Sequence, residues 1–479
     1  MRNGVILQGF EWHTYGDGHH YDFLRDQIEH LKQMGFSALW LPPVFKATST
    51  MDPGYGSYDL YDLGEFDQKG DVRTKYGTRD QLMQLIEAAH HHDLQIYADV
   101  VLNHKAQADE EEVFQAVEVD PDNRLHEIGE PHNIRAWTRF TFPGRGDTYS
   151  AFQWNFQHFT GVDYDSLSGR MGIFKILGEN KDWAQGVSSE KGNFDYLMFS
   201  DINLAHPDVR EELFHWAQWF IETTGVDGFR FDALKHIDAS FPRDMVSHIR
   251  SFAPDFYFVG EYWDNEAEAL NHYLEVVEHG IDLFDVRLHH NLYEASVNPN
   301  YDLRQIFDAT MVMAHPELAV TFVDNHDTQP DQGLSSFVDP WFKKIAYGLI
   351  LLRRQGYPCV FFGDYYGLND PTPMPGHQSV IDNLLAIRRD YGYGEQVDCF
   401  ATEHLIGWTR SGDEDHPGSL AVVISTGDAA TLRMAVGVDQ AGKIYHDLTG
   451  ASEAEITIDE EGFGNFEVGP GDMSCWAEK

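Results

Sequence analysis

The order of strand and helix signals along the chain constrains the fold more than any other feature. The apolar run VILQGF at 5–10 predicts a buried strand, and ALWLPP at 38–43 predicts a second strand that its prolines end. Between them, apolar residues recur at helical spacing over 22–34, and Gly35 follows where a helix C-terminus favours glycine. This order indicates parallel strands with a helix packed outside them.

The same alternation continues downstream. Thr78 and Gln81 form a capping box that begins a second helix, and QIYADVV at 95–101 predicts a third strand. After an interruption, a helix over 206–225 opens with Pro207 in its first turn. Five more strand candidates lie at 226–232, 256–261, 283–286, 319–327 and 359–364. Eight strands are the number that closes a (β/α)8 barrel, or TIM barrel, so this α/β fold is predicted.

Two segments depart from the alternation. From 104 to 205, turns, aromatics and aspartates are frequent and helical spacing is weak, which predicts a loop-rich β domain inserted after the third strand. After residue 390, short alternating strands separated by Gly and Asp turns predict an antiparallel β-sandwich. We therefore divide the chain into a barrel (1–103 and 206–390), an inserted domain (104–205) and a C-terminal domain (391–479).

The chain is strongly acidic. Its 78 acidic and 34 basic residues give a formal net charge of −44, which repels nucleic acid and anionic membranes. Only 13 of the basic residues are lysine. Few lysines and many carboxylates favour adaptation to high salt, because salt screens the self-repulsion of the folded chain. An ordinary acidic protein explains the composition equally well.

Other sequence features bear on location and assembly. The three cysteines, Cys359, Cys399 and Cys475, form no CxxC pair, and no window approaches 18 uninterrupted apolar residues. A strand-like run follows Met1 almost at once, without the regions of a signal peptide. We expect a monomeric cytoplasmic protein without membrane or nucleic-acid partners. A secreted mature form that has lost its signal peptide is the alternative.

Charged residues collect where the predicted strands end. In a barrel of this kind the loops after the strands converge on one rim, and active sites are built there. A single Asp after a strand is more often a helix N-cap, but acids at several strand ends are harder to explain by capping. The residues are Asp99, Asn103 and His104 on strand three, Arg230 and Asp232 on strand four, Glu261 on strand five, and His326 and Asp327 on strand seven.

Paired carboxylates on such a rim suit glycoside hydrolysis. One acid protonates the leaving oxygen, and a second carboxylate attacks carbon or activates water. Strands four and five are neighbours, so we expect Asp232 and Glu261 to face each other across a narrow gap, which indicates retention of configuration. Arg230 lies on the same strand face as Asp232 and should hold it ionised, whereas negative neighbours should raise the pKa of Glu261.

Four motifs carry a resemblance to a known family. They are DVVLNH (99–104), GFRFDALKH (228–236), GEYW (260–263) and FVDNHD (322–327). In this order and spacing they resemble the signature segments of the α-amylase family of glycoside hydrolases. GYGSYDLYDLGEF (54–66) is similar to a segment of its liquefying, bacterial-type branch. The resemblance covers nearly the whole chain and implies a substrate of α-linked glucose.

The resemblance also implies roles for single residues. Asp232 would be the nucleophile, Glu261 the general acid/base, and Asp327 the residue that binds sugar hydroxyls and stabilises the transition state. Arg230 would orient Asp232. The other substrate contacts expected are His104, His326, Tyr55, Lys235, His236 and Trp12.

Calcium is the cofactor that the resemblance implies, between the barrel and the inserted domain. The matching ligands are Asn103, Asp195, Asp201 and the main-chain carbonyl of His236. Oxygen ligands of this kind suit Ca²⁺. Relatives of this branch often hold further ions on additional aspartates. Thr160, Asn203 and Ala205 occupy several of those positions, so we expect one calcium ion.

These features predict an endo-acting α-amylase that hydrolyses internal α-1,4 bonds of starch, glycogen or maltodextrins with retention. A transglycosylating or exo-acting relative with the same carboxylates is the alternative. A non-catalytic glucan-binding protein on the same fold is a third interpretation, but all three acids, Asp232, Glu261 and Asp327, are present.

Overall fold

Eight parallel strands close into a barrel at the centre of the molecule. The computed structural model describes residues 3–478; Met1, Arg2 and Lys479, which the predicted domain limits include, lie outside the described residues. Each barrel strand pairs with the strands before and after it, so the predicted fold is confirmed. The strands are Ile6–Gln8, Ala38–Leu41, Gln95–Val100, Gly228–Phe231, Tyr257–Gly260, Asp282–Phe284, Ala319–Phe322 and Tyr357–Phe361.

The helices cover the outside of the barrel. The capping box of Thr78 and Gln81 is formed, and Gly35 and Gly225 end their helices with positive φ of 103° and 71°. The α-helices are His20–Met34, Arg79–His91, Pro207–Thr224, Ser240–Arg250, Ala267–Val276, Val286–Val297, Met311–Ala314, Lys343–Leu351, Phe362–Tyr366 and Gln378–Tyr391. The 3₁₀ turns are Phe156–His158, Leu234–His236, Leu303–Gln305, Pro340–Phe342 and Val438–Gln440.

Alternating side chains along the barrel strands separate two cores. Inward-facing residues such as Trp40, Tyr97 and Phe284 fill the barrel, and outward-facing residues such as Leu39 and Phe229 pack against the helices. Side chains two residues apart on a strand share a face, so Arg230 points inward and upward toward the rim. In register, Arg230 lies opposite Asp99 of strand three.

The segment after strand three forms a six-stranded sheet. Its strands, in order across the sheet, are His104–Lys105, Ser200–Ile202, Phe159–Asp165, Arg170–Ile176, Glu110–Asp120 and Asn123–Arg139. All six lie inside the predicted range 104–205. The hairpin of 11- and 17-residue strands at the far edge is not predicted by the sequence pattern, because mostly polar, exposed side chains weaken the alternation there. Two short ribbons complete the loops: Lys46–Ala47 with Ser57–Asp59, and Gly367–Leu368 with Met374–Pro375.

The C-terminal strands form two packed antiparallel sheets. The larger consists of Gln396–Thr402, Leu405–Arg410, Leu420–Ser425, Asp472–Glu478, Ile444–Asp447 and Glu455–Thr457, and the smaller of Ala430–Ala435 and Phe463–Val468. Val423, Leu432, Phe466 and Trp476 pack between them. Trp408 is buried against the barrel side, where its indole N–H donates to the carbonyl of Leu352 over 3.2 Å.

Candidate active site

Arg230 is the centre of the carboxylate cluster on the barrel rim. Its Nη1 donates to Asp99 Oδ1 at 2.9 Å and to Asp232 Oδ1 at 2.6 Å, and its Nη2 donates to Glu261 Oε2 at 2.7 Å. The guanidinium also lies over the ring of Trp40, 5.1 Å from its centre. Only 1 % of Arg230 is exposed, so these interactions act in a site from which water is largely excluded.

Asp232 and Glu261 directly follow neighbouring parallel strands, which brings their carboxyl groups together. Both groups accept hydrogen bonds from the guanidinium of Arg230, Asp232 Oδ1 from Nη1 and Glu261 Oε2 from Nη2, and the main-chain N–H of Ala233 donates to Glu261 Oε2 over 3.3 Å. Inverting glycosidases separate their carboxyl groups by about 6.5–9.5 Å to hold a water between them. Carboxyl oxygens bound to the two terminal nitrogens of one guanidinium lie close together, which fits the shorter separation of retaining enzymes.

Burial, rather than neighbouring charge, is the main cause of the shifted pKa values of Asp232 and Glu261. Burial, the largest effect, raises the pKa of Asp232 to about 6, and Arg230 only limits the rise. The prediction that Arg230 alone would hold this carboxylate ionised underestimated desolvation. Burial is also the main reason that the pKa of Glu261 is raised, with the charge of Asp232 adding to it. Glu261 therefore keeps its proton to higher pH than an exposed glutamate.

Asp327 joins the cluster through the loop after strand seven. His326 Nε2 lies 3.2 Å from Asp327 Oδ2, and the amide of Gln8 donates to His326 Nδ1 over 3.0 Å. Because Nδ1 accepts that bond, the proton of the neutral ring lies on Nε2 and points to Asp327. Burial and then the charge of Glu261 raise the pKa of Asp327 well above its ordinary value.

Three aromatic rings lie nearly parallel beside these acids. Tyr55 stacks on His326 with ring centres 5.1 Å apart and planes 7° apart, and Trp12 stacks on Tyr55 at 5.8 Å and 2°. The Tyr55 hydroxyl donates to Asp99 Oδ2 over 2.8 Å, which ties this stack to the carboxylate cluster. Trp12 and Tyr55 are partly exposed, so apolar ring surface faces the opening of the site.

The remaining predicted contacts surround the cluster at different depths. His104 is buried, and its Nε2 lies 2.9 Å from the carbonyl of Tyr55, so its visible contact is with the Tyr55 loop. Lys235 forms ion pairs with Glu190 at 2.7 Å and Asp264 at 3.3 Å. The Nδ1 of His236 lies 2.7 Å from the carbonyl of Phe194 in the inserted segment. Direct sugar contact by these three residues stays a prediction.

The predicted calcium ligands lie where the inserted segment meets the barrel. Asn103, Asp195 and His236 line one cavity of about 550 Å³. Asp201 is buried beside it, and its carboxylate accepts the hydroxyl of Thr160. The four residues, far apart in sequence, are therefore brought to one region.

The chemistry of this region fits a cation. Burial raises the pKa of Asp195 to about 7 and that of Asp201 well above its ordinary value, and the charge of Asp195 raises the latter further. Among residues 3–478, neither carboxylate forms a salt bridge with a basic side chain. Two buried acids without an ion-pair partner, next to an amide oxygen, offer the hard oxygen ligands that Ca²⁺ prefers.

A second cluster resembles a metal site but has the wrong proton arrangement. His158, His206 and Asp208 offer ligand atoms within 4.8 Å of one another. However, His158 Nδ1 accepts the main-chain N–H of Asn155, and His206 Nδ1 accepts that of Asp208. Each neutral ring then carries its proton on Nε2, so neither nitrogen presents a free lone pair to a metal.

Comparison with known proteins identifies the family of this chain. The family model described as "Alpha amylase, catalytic domain" matches residues 18–169 and 192–396, and the model "Alpha-amylase C-terminal" matches 420–477. The chain belongs to the α-amylase family of glycoside hydrolases. Three relatives named α-amylase match this α-amylase family member over most of their own length.

A relative from Bacillus sp. (strain 707), named "Glucan 1,4-alpha-maltohexaosidase", is 48% identical over 100% of this chain and 93% of its own. An α-amylase of Geobacillus stearothermophilus is 48% identical over 100% and 87%. A cytoplasmic α-amylase of Escherichia coli (strain K12) is 40% identical over 99% of both chains. The solved α-amylase of Geobacillus thermoleovorans complexed with acarbose shares the fold, with a TM-score of 0.66, 18% identity, and 99% and 97% of the chains covered.

Some site residues were not found from the sequence. Asp99 was noted only as a strand-end acid, yet it anchors Arg230, Tyr55 and the indole N–H of Trp40. A charged residue inside an apolar strand such as QIYADVV is the signal that indicates such a buried partner. Gln8, which supports His326, follows the same pattern inside VILQGF.

Proposed function

We propose that this α-amylase family member is an endo-acting enzyme that hydrolyses internal α-1,4-glucosidic bonds with retention of configuration. The observation that carries the proposal is the pair of Asp232 and Glu261, which follow neighbouring strands and are both bound by the single guanidinium of Arg230. Burial raises the pKa of both carboxyl groups, and their neighbouring charges favour a state in which Glu261 keeps a proton while Asp232 is ionised, so one can act as acid and the other as nucleophile.

The proposed reaction has two steps. Glu261 donates its proton to the glycosidic oxygen while Asp232 attacks the anomeric carbon, which breaks the glycosidic bond and forms a covalent glycosyl ester. Glu261, now a carboxylate, takes a proton from water as the water attacks the same carbon and frees Asp232. The N–H of Ala233 and the Nη2 of Arg230 hold the oxygen Oε2 of Glu261 through both steps.

The surrounding side chains would bind and orient the sugar. Asp327, paired with His326, would hold sugar hydroxyls as the transition state gains positive charge at the anomeric carbon. The parallel rings of Tyr55 and Trp12 would pack against the apolar face of a glucose ring. His104, Lys235 and His236 would complete the neighbouring sugar contacts.

Calcium is part of the proposal. Asn103, Asp195, Asp201 and the carbonyl of His236 would hold one Ca²⁺, which neutralises two buried carboxylates and ties the inserted segment to the barrel. The ion would thereby fix the loops that carry His104 and Asp232 relative to each other. Its role is structural, and no chemical step passes through it.

Exo-acting release of maltohexaose is the second candidate, because one relative at 48% identity is named a maltohexaosidase. A cavity of about 640 Å³ extends from Phe199, whose ring packs on His104, to Trp137, which is 48 % exposed. Aromatic surface in such a cavity could bind the far end of a bound chain. Chromatography of early products from soluble starch separates the candidates: mixed medium-length maltodextrins favour endo cleavage, whereas immediate, dominant maltohexaose favours the exo enzyme. Products longer than the substrate would instead identify a transglycosylase.

Replacement of the general acid tests catalysis itself. Glu261→Gln removes the transferable proton, and we expect reducing-sugar release from starch to fall by about 10²- to 10⁴-fold. Glu268→Gln, on an exposed helix position, is the matched control and should retain activity. Equal activity of Glu261→Gln and wild type would reject the assignment, and inactivity of all three proteins on starch would favour a glucan-binding protein.

We also propose that the enzyme acts on α-glucans inside the cell as a monomer. The 40% identical relative from Escherichia coli is named a cytoplasmic α-amylase, which supports this location. No helix within residues 3–478 is long and apolar enough to cross a membrane. Fractionation of the native host and light scattering of the purified protein test the two points.

A further inference from the structure

Lys181 has an unusual set of partners at the edge of the proposed calcium region. Its ammonium group donates to the main-chain carbonyls of Phe156 at 3.2 Å, Gln157 at 2.5 Å and Phe159. A lysine ammonium has three N–H groups, and three carbonyl oxygens of one short turn receive them. The side chain therefore acts as a central cation around which the turn is organised.

Convergent main-chain carbonyls are also the ligands with which proteins hold hard metal cations. The 3₁₀ turn Phe156–His158 aims these oxygens toward one point, and burial lowers the pKa of Lys181 to about 8. Without a cation at that point, the three carbonyls would lose the ammonium and repel one another through their dipoles, although the carbonyl of Phe156 would still accept the main-chain N–H of Phe159. A positive charge at this position thus stabilises the turn.

Asp201 contacts the residue that follows this turn, but among residues 3–478 it forms no ion pair with Lys181. Thr160, directly after the turn, donates its hydroxyl to Asp201, and the charges of Arg124 and Lys181 both act on this carboxylate. Arg124 directs its Nη1 to the carbonyl of Tyr196 over 2.6 Å. Lys181, by contrast, lines the cavity that contains Asn103 and Asp195.

We infer that Lys181 is a built-in cation that fills a second ion position, formed by the three carbonyls, and so leaves this cavity with a single metal position. The inference deepens the proposed calcium site and concerns its stoichiometry. An ammonium bound to the chain needs no ion from solution, so this part of the junction stays assembled when divalent cations are removed.

The test is to remove the ammonium and supply a free cation. Lys181→Ala leaves the three carbonyls without the ammonium, and metal analysis after gel filtration in calcium should find one more ion per chain than in wild type. The melting temperature of the variant should also rise more on addition of Ca²⁺ or methylammonium than that of wild type, because ligands that bind only the folded state stabilise it. Lys181→Arg, which keeps the charge, should show the wild-type metal content.

Lys344→Ala is the matched control, since it removes a partly buried lysine whose ion pair is with Asp472 at 2.7 Å. It should lose stability without gaining a metal ion or a response to methylammonium. If Lys181→Ala is recovered unfolded, it is refolded in CaCl₂, methylammonium chloride or choline chloride. Recovery in either of the first two, but not in choline, supports the inference; failure in all three overturns it.

Unchanged metal content and an unchanged cation response in folded Lys181→Ala also overturn it. The outcome is separable from the proposed calcium site. A wild type without calcium and a Lys181→Ala variant with one ion would reject the proposed site and support the role of Lys181.

Discussion

Arg230 and Glu261 lie on adjacent barrel strands, and Nη2 of the arginine donates to Oε2 of the glutamate over 2.7 Å. The other terminal nitrogen of the same guanidinium donates to Asp232 and Asp99. One rigid, planar cation thus sets the distance between the proposed nucleophile and the proposed acid. The proposed catalytic geometry therefore depends more on the planar shape of the guanidinium, with its two terminal nitrogens, than on its charge.

Arg230→Lys should therefore inactivate the enzyme although it keeps the positive charge. An ammonium cannot bind all three carboxylates in the same plane, and a misplacement of about 1 Å can reduce rate about 10²-fold. We expect a loss of at least about this size in kcat/KM on soluble starch. Arg243→Lys, whose arginine pairs with its sequence neighbour Asp244, is the control and should stay active. Similar kinetics for both variants would contradict the proposed role of the guanidinium.

The dependence of activity on pH should follow the two raised pKa values. Asp232 must be ionised to attack, and its pKa of about 6 means that it gains a proton as the pH falls through 6, so activity is lost there. Glu261 must be protonated, and its raised pKa keeps the proton in place to higher pH than an exposed glutamate would allow. We expect a bell-shaped plot of kcat/KM against pH with its acid limb near 6.

The Asp99→Asn variant tests whether ionisation of Asp232 controls the acid limb of the pH profile. The charge of Asp99 is one cause of the raised pKa of Asp232, so its removal should shift the acid limb to lower pH, with some loss of maximal rate because Arg230 and Tyr55 lose a partner. The comparison is made on the same starch substrate over the same buffers. An acid limb that does not move would show that a different group controls it.

Removal of calcium should lower the melting temperature. We expect EDTA to lower the midpoint and added Ca²⁺ to restore it, since free calcium at 100 times its Kd stabilises the folded state by about 2.7 kcal/mol. Asp195→Asn should weaken this response, while Asp208→Asn, at the start of an exposed helix turn, should keep it. Calorimetry gives the midpoints. The absence of any shift in wild type would argue against the site.

High salt should stabilise the protein if its composition reflects adaptation to salt. With a formal charge of −44, self-repulsion is screened as the Debye length falls from about 10 Å in 0.1 M salt to about 3 Å in 1 M. We expect a higher melting midpoint in 2 M NaCl than in 0.1 M. Equal midpoints would identify an ordinary acidic protein, and the same measurement in choline chloride separates general screening from specific sodium binding.

The barrel could be predicted from the sequence because its strands, helix caps and helix ends are each specified by residues close together in the chain. Apolar strands such as VILQGF, the Thr78 capping box and the glycines at 35 and 225 each act within a few residues, and all take the expected structure. The order of Asp232 and Glu261 along neighbouring strands was enough to predict their approach, because parallel strands end at the same rim.

Local sequence patterns did not predict contacts between residues that lie far apart in the chain. Lys181 meets a turn more than 20 residues away, and the hydroxyl of Tyr55 meets Asp99 across 44 residues. The pKa of Asp232 could not be predicted from local sequence either. Desolvation depends on the whole surrounding fold, and it is the largest effect on this pKa although the cation of Arg230 lies beside the carboxylate.

The first and last strands of the inserted sheet pair with each other where the segment leaves and rejoins the barrel. The strand Ser200–Ile202, on which the chain returns, pairs with His104–Lys105, on which it leaves, and the N–H of Ile202 donates to the carbonyl of Asn103 over 2.9 Å. The departure and return points are thus fastened together at the base of the sheet. We expect the exposed end of the outer hairpin, residues 125–133, to tolerate changes of length and sequence, so that new specificity can evolve there while the chemistry is inherited unchanged.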